Sequence, residues 1–171
     1  MQLTIRPETK QDYSAIKKVN DLAFKQENEG TLIEKLRINP EYIPELSLVA
    51  EIDGAVRGHI LFFPLHVNTD KGGYQTISLA PMAVYPDWQR KGIGGQLIRE
   101  GLLKVEELGH KSVVVVGHPE YYPRFGFRRA SEWNVKVPFP CPDEALMAIE
   151  FEKGNLKPGV IKFTPEYFDA L

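Results

Sequence analysis

The stretch PMAVYPDWQRKGIGGQLIREG, residues 81–101, sets a proline inside an apolar run and then crowds Gly92, Gly94 and Gly95 ahead of a helix-like pattern. Glycines packed between a strand and a helix leave the backbone bare where something must come close. That something is a nucleotide phosphate, a coenzyme, or only the next turn of chain. Downstream, Ile93, Leu97, Ile98, Leu102, Val105 and Leu108 fall on one face of a helix, with Gly109 as its C-cap. KSVVVVG, residues 111–117, is apolar without alternation, as a strand covered on both faces should be. A strand, a helix and a strand in that order form a crossover, so these two strands are expected to run parallel.

Upstream, residues 46–67 read as two strands joined at Asp53 and Gly54, the strongest short hairpin signal in the chain. A looser turn, TDKGGY, leads to a third strand, QTISLAPMAV, and the three make an antiparallel meander. QLTIRP at the start alternates like a short strand. Tyr13, Ile16, Val19, Leu22 and Ala23 then recur at helical spacing, and Leu32, Ile33 and Leu36 share the face of a second, shorter helix. After the crossover, PEYYPRFGF suggests a short helix and turn. WNVKVP, ALMAIEF and GVIKFT supply further strands, and PEYFDAL ends the chain as a helical turn. The class is α+β: a mixed sheet, antiparallel first and parallel near its middle, with helices on its faces.

Composition narrows the function. At 171 residues, with no linker or low-complexity segment, the chain is expected to form one domain over residues 1–171. Hydrophobic residues at 43% and charged residues at 26% are ordinary globular values. A net charge of −2 argues against a nucleic-acid or anionic-membrane partner, which calls for a basic field. Cys141 is the single cysteine, so an internal disulfide is excluded and a thiolate metal site has no partner ligand; no metal is expected. The opening residues lack an apolar signal core and no stretch reaches transmembrane length. A soluble, cytoplasmic protein is the expectation.

Three phosphate-loop readings compete for the glycines. A dinucleotide fingerprint, G-x-G-x-x-G, finds its first two positions in Gly92 and Gly94, but the third falls on Leu97. A P-loop needs a glycine followed by lysine and then serine or threonine at fixed spacing, and none is present. The third is QRKGIG, residues 89–94, which matches Q/R-x-x-G-x-G/A. Its physics is local. Backbone N–H groups gather in a loop at a helix N-terminus, where the macrodipole is positive and a pyrophosphate fits without a lysine beneath it. Gly92 and Gly94 have no Cβ to hold the phosphates away, and Arg90 and Lys91 add positive charge at the rim. A tight strand-to-helix turn alone would also use such glycines.

This motif resembles the hallmark of the GNAT superfamily of N-acetyltransferases. Pro81 fits the resemblance, because a proline in a strand marks a bulge or a place where strands part. In GNAT proteins the strand before the loop splays from the next parallel strand, and the pantetheine arm of the coenzyme lies in the gap. The resemblance implies that backbone near Met82, Ala83 and Val84 binds that arm. It implies that Gln89, Arg90, Lys91, Gly92, Ile93, Gly94 and Gly95 hold the pyrophosphate. GHPEYYPRFGF, residues 117–127, resembles the family segment in which a tyrosine stands four residues before a Gly-Phe pair, as Tyr122 stands before Gly126. The commonest family form begins that segment with an asparagine, and Val115 occupies the place here; the wording is instead similar to a bacterial subgroup called YhbS-like. The resemblance covers most of the chain in family order, more loosely toward the C-terminus.

What the resemblance implies is a fold with a mostly antiparallel mixed sheet, a central parallel strand pair and helices on both faces. It also implies transfer of an acetyl group from acetyl-CoA, the cosubstrate, to a primary amine by direct attack in a ternary complex. The acceptor class is a small-molecule or peptide amine, and the C-terminal strands offer a place for a homodimer. Tyr122 is the candidate acid toward the leaving thiolate, because a phenol is still protonated at neutral pH. Core packing beside Phe125 and Phe127 is the alternative for one of Tyr121 and Tyr122. The base stays open among Glu29, Glu34, His118 and a relayed water. A catalytically silent acyl-CoA-binding regulator of the same fold is the rival from another class.

Overall fold

The computed structural model describes residues 1–169. The chain folds as two compact units. The first is built from residues 1–63, residues 80–104 and the segment that opens at Pro165; the second from residues 64–79 and 105–164.

In the first unit, strand β1 (Leu3–Pro7) pairs antiparallel with β2 (Ser47–Ile52), Leu3 opposite Ile52 and Pro7 opposite Leu48. The ladder continues antiparallel from β2 to the opening half of β3 (Ala55–Thr69). Asp53 and Gly54 form the corner, with φ of 50° and 87°; two successive left-handed residues give the turn that matches strand twist, as the Asp-Gly pair predicts. Helix α1 (Tyr13–Phe24) follows a 3-10 turn over Lys10–Asp12, where Thr9 and Asp12 cap each other in a capping box. Helix α2 (Asn28–Arg37) buries Leu32, Ile33 and Leu36, the face read from its spacing.

Helix α1 departs from its pattern. Ile16 and Val19 are buried, but Leu22 is exposed and Asn20 is fully enclosed in its place. The Asn20 amide donates to the Ile16 carbonyl at 2.9 Å, which satisfies its N–H inside the helix and lets a polar side chain hold a core position.

Strand β4 (Gly72–Val84) follows β3 through the second hairpin, and its last residues from Ala80 onward belong to the first unit. Helix α3 (Ile93–Glu107) then buries Ile93, Leu97 and Ile98. Gly101 lets α3 sit directly on the sheet, since a Cβ there would stand 2.2 Å from the Phe62 ring. Phe63 points to the other face by strand alternation and meets Tyr167 of α4 (Pro165–Asp169) at 6.4 Å between ring centroids. Helices thus cover both faces of this part of the sheet.

A polar network is buried in the same unit. Tyr42 donates to one oxygen of Glu8 at 2.5 Å, Ser47 donates to the same oxygen, and Arg37 donates to the other at 2.8 Å. His59 is fully enclosed, with Nε2 2.8 Å from Ser47 Oγ. The Ser47 proton goes to Glu8, so Nε2 carries the hydrogen and donates to Ser47. Burial first, and then the Arg37 charge, push the His59 pKa down to about 3, so the ring is neutral.

In the second unit, β5 (Ser112–Val116) runs parallel to β4, Ile77 opposite Val113 and Ser78 opposite Val114. The buried hydroxyls of Thr76 and Ser112 are joined at 2.7 Å beside this ladder, which stops short of Pro81. Strand β5 pairs antiparallel along its whole length with β8 (Leu146–Glu150), which also takes β6 (Arg128–Arg129). Strand β9 (Gly159–Lys162) pairs antiparallel with the far half of β3 and parallel with β7 (Val135–Lys136). The α3 stripe ends at Val105: Leu108 lies past the helix and is exposed, a correction to the predicted face. Gly109, at φ 91°, donates to Glu106, and His110 donates to Val105 at 3.2 Å, the closing pattern a C-cap glycine makes. Among the described residues no helix is long and apolar enough to cross a membrane.

Candidate active site

The glycine loop lies wholly in the first unit. Tyr85, just past β4, donates its N–H to the Arg57 carbonyl at 2.7 Å, so the backbone groups of Val84 face the opposite edge of the strand. There Gln89 Nε2 donates to the Val84 carbonyl at 3.0 Å. Gln89 is thereby tied to the strand it follows, which fixes the start of the loop. Met82 and Val84 are half-buried and Ala83 is buried. A 3-10 turn over Pro86–Trp88 leads into extended Gln89, and then Arg90 takes a left-handed φ of 64°. A non-glycine residue there is uncommon and mildly strained, a state that persists only where the surroundings impose it.

Gly92 follows at φ 81°, and a Cβ placed on it would meet nothing within 4 Å. The space in front of this residue is open. The Gly92 carbonyl accepts from Gln96 at 3.1 Å, so Gly92 stands at the N-cap of α3. The N–H groups of Ile93, Gly94 and Gly95 occupy its first turn and have no partner inside the helix. Arg90 and Lys91 are exposed beside them, with Lys91 Nζ 5.8 Å from the Trp88 ring. Free backbone donors, a positive helix end, two cations and room beside a bare Cα are what a phosphate group requires. The residues present fit the pyrophosphate of a coenzyme.

Tyr122 belongs to the second unit, where it opens a 3-10 turn over Tyr122–Phe125. Its ring is buried, held edge-on by Tyr121 at 5.2 Å and by Phe127 at 5.7 Å. Burial, and then Tyr121, push its hydroxyl up to about 12. The phenol is therefore a stable proton donor across the neutral range. Tyr121 packs on Phe125 at 5.2 Å and under the Arg124 guanidinium at 4.8 Å.

The candidate bases sit differently from one another. Both Glu29 oxygens accept from the Gln26 amide at 2.9 Å, and Glu34 is exposed on α2. The His118 ring is exposed, while its carbonyl accepts from the backbone N–H of Tyr121 at 3.1 Å. Among the described residues no cluster of His, Cys, Asp and Glu is arranged to hold a metal ion.

Two features escaped the sequence reading. The left-handed Arg90 carries no local signal, since arginine has no preference for that conformation. Gly117, where strand and tyrosine segment meet, leaves room for the Tyr122 ring, since a Cβ there would stand 2.4 Å from it. A glycine directly after an apolar strand and ahead of a paired tyrosine was the available clue.

A strand that runs into a glycine-capped helix N-terminus is a place for a phosphate-bearing ligand. The family model for the GNAT acetyltransferase domain matches residues 4–130, and the chain belongs to that family. It is 38% identical over 136 residues to the uncharacterized N-acetyltransferase YjhQ of Escherichia coli K12, covering 79% of this chain and 75% of the relative. It is 32% identical over 145 residues to the uncharacterized N-acetyltransferase YhbS of the same strain, covering 84% of each. Among solved structures, a GNAT family acetyltransferase from Brucella melitensis in complex with acetyl-CoA superposes with a TM-score of 0.80 at 30% identity, covering 97% of this chain and 98% of that one. YhbS from Escherichia coli in complex with CoA gives a TM-score of 0.89 at 27% identity, covering 98% and 93%.

Proposed function

We propose that the chain works as one acetyltransferase domain that moves an acetyl group from acetyl-CoA to a primary amine by direct attack in a ternary complex. The observation that carries this is the open, left-handed Gly92 at the head of α3, flanked by free first-turn N–H groups. The relatives whose structures hold acetyl-CoA and CoA support it.

In this reading the first turn of α3 holds the pyrophosphate, and backbone of Met82, Ala83 and Val84 takes the pantetheine amides. The Val84 carbonyl is already engaged by Gln89, which leaves its N–H and the groups of Met82 for the ligand. The neutral amine attacks the thioester carbonyl, an oxyanion forms against a backbone N–H, and the C–S bond breaks. A lysine-like amine has a pKa of about 10.4, so a proton must be removed before or during attack. Tyr122 gives its proton to the departing thiolate, which becomes the free thiol of CoA. The amine's proton leaves through Glu29, Glu34, His118 or water. The acceptor is a small-molecule or peptide amine.

The test is release of free thiol from acetyl-CoA across a panel of primary amines. Thiol release that depends on the amine is the expected result. Tight coenzyme binding with no amine-dependent release from any of them would overturn the transferase reading in favour of a silent acyl-CoA binder.

A further inference from the structure

The first unit holds a cavity of about 480 Å³ between α1, the tip of the β2–β3 hairpin and Tyr85. None of its wall residues is among those proposed above to hold the coenzyme. The size is ordinary for a small-molecule site.

The charges on its wall are unevenly spent. Arg6 donates to Asp12 at 2.8 Å and to Glu51 at 3.1 Å, so both carboxylates on the wall are committed to one guanidinium. The Arg6 hydrogen bonds are the largest cause holding the Asp12 carboxyl down at about 2. Lys18 and Arg57, the other two cations on the wall, make no ion pair with a carboxylate among the described residues. Arg57 Nε is buried and has no hydrogen-bond partner, while its guanidinium lies 5.3 Å from the Tyr85 ring and 5.6 Å from that of Trp88. A buried donor without a partner is costly, so the Arg57 side chain is not settled by contacts within the chain. Tyr85 and Gln11 also line the space, and Val19 adds an apolar residue to the wall.

We infer that this cavity binds a small organic dianion, carrying carboxylate or phosphate groups, between Arg57 and Lys18. The unspent groups supply donors, so the ligand must supply acceptors. With Arg6, Lys18 and Arg57 against Asp12 and Glu51, the wall carries a net positive charge, which favours an anion over a cation. The Tyr85 ring and Val19 receive the ligand's carbon frame. The site is also wired to the glycine loop. Arg57 contacts Trp88, Trp88 lies under Lys91, and Tyr85 adjoins the strand end that Gln89 caps. An occupant that draws Arg57 toward itself alters the surroundings of Trp88, which makes binding visible.

The test uses the full chain in a Trp133→Phe background, so that Trp88 is the only indole. Trp88 emission is followed during titration with inorganic phosphate in one arm and succinate in the other. CoA is kept saturating, so that anions cannot report from the glycine loop. A saturable change is expected in at least one arm. Phosphate alone points to phosphate esters, succinate alone to dicarboxylates, and both to small dianions in general. Arg57→Gln and Lys18→Gln should each weaken binding about tenfold, the size of a lost hydrogen bond to a charged group. Arg57→Lys should fall between, because it keeps the charge and loses the planar fork. No saturable signal in either arm up to about 50 mM, far weaker than a millimolar site, overturns the inference. So does equal affinity in variants that melt like the parent. CoA binding is measured separately by calorimetry. If it fails, the coenzyme reading falls alone, and the titration without CoA is judged by its dependence on Arg57 and Lys18.

Discussion

Gly117 and Tyr122 are in contact: a Cβ on the glycine would come within 2.4 Å of Cε2 of the tyrosine ring. The bare Cα sets how deep the ring sits, and with it the position of the hydroxyl. Gly117→Ala forces the ring or the strand end to move. Overpacking of this kind costs roughly 1–3 kcal/mol, readable by urea unfolding. If Tyr122 is the acid, kcat should fall by more than that stability loss explains at temperatures where the variant remains folded.

Tyr122→Phe keeps the ring and removes only the hydroxyl, and its folding stability should stay near the parent. The rate should fall on the order of a hundredfold, the usual contribution of a positioned acid. A loss under about threefold would assign Tyr122 to packing with Phe127. The hydroxyl stands at about 12, so its ionisation should produce no fall in kcat as pH rises through the neutral and mildly alkaline range.

Gly92→Ala tests the loop. At φ 81° a side chain is strained, and the Cβ enters the open space in front of α3. The backbone term is about 1 kcal/mol. CoA affinity measured by calorimetry should drop by about tenfold or more, since each factor of ten corresponds to ~1.4 kcal/mol of lost phosphate contact. Affinity equal to the parent would mean that phosphate does not approach this residue.

The His59 network predicts a pH dependence of stability. The folded pKa is about 3, below the ordinary value of 6.5, so between these values the unfolded chain binds a proton that the native state refuses. Stability is therefore present above the ordinary histidine range and declines as pH falls through it, by at most about 1.4 kcal/mol per unit from this group. Urea midpoints compared at about pH 7 and about pH 5 should show the decline, and His59→Gln should flatten it. An unchanged slope in the variant would place the acid sensitivity elsewhere.

The sheet was legible where local chemistry speaks: the Asp53 and Gly54 corner, the unbroken apolar run of β5, and the glycines ahead of α3. Leu22 and Leu108 were misplaced because spacing alone cannot reveal that the Asn20 amide N–H finds a partner within the helix or that α3 stops at Glu107. Strand β6 is two exposed arginines and has no pattern to read; only its pairing with β8 makes it a strand. The parallel pairing of β7 with β9 is likewise a long-range choice. At the candidate site the glycine motif was plain. The left-handed Arg90 is a backbone angle no side chain announces, and the Gln89 tether and the glycine behind Tyr122 are contacts across irregular turns that no helical or strand period encodes.

Thermal unfolding with acetyl-CoA, CoA, NAD and ATP in parallel decides what the glycine loop holds. A ligand at about a hundred times its dissociation constant adds roughly 2.7 kcal/mol. For a chain of this size that raises Tm by roughly 5–10 °C. Acetyl-CoA and CoA should both produce the shift while NAD and ATP leave Tm in place. A shift with NAD or ATP and none with either coenzyme A form would contradict the account.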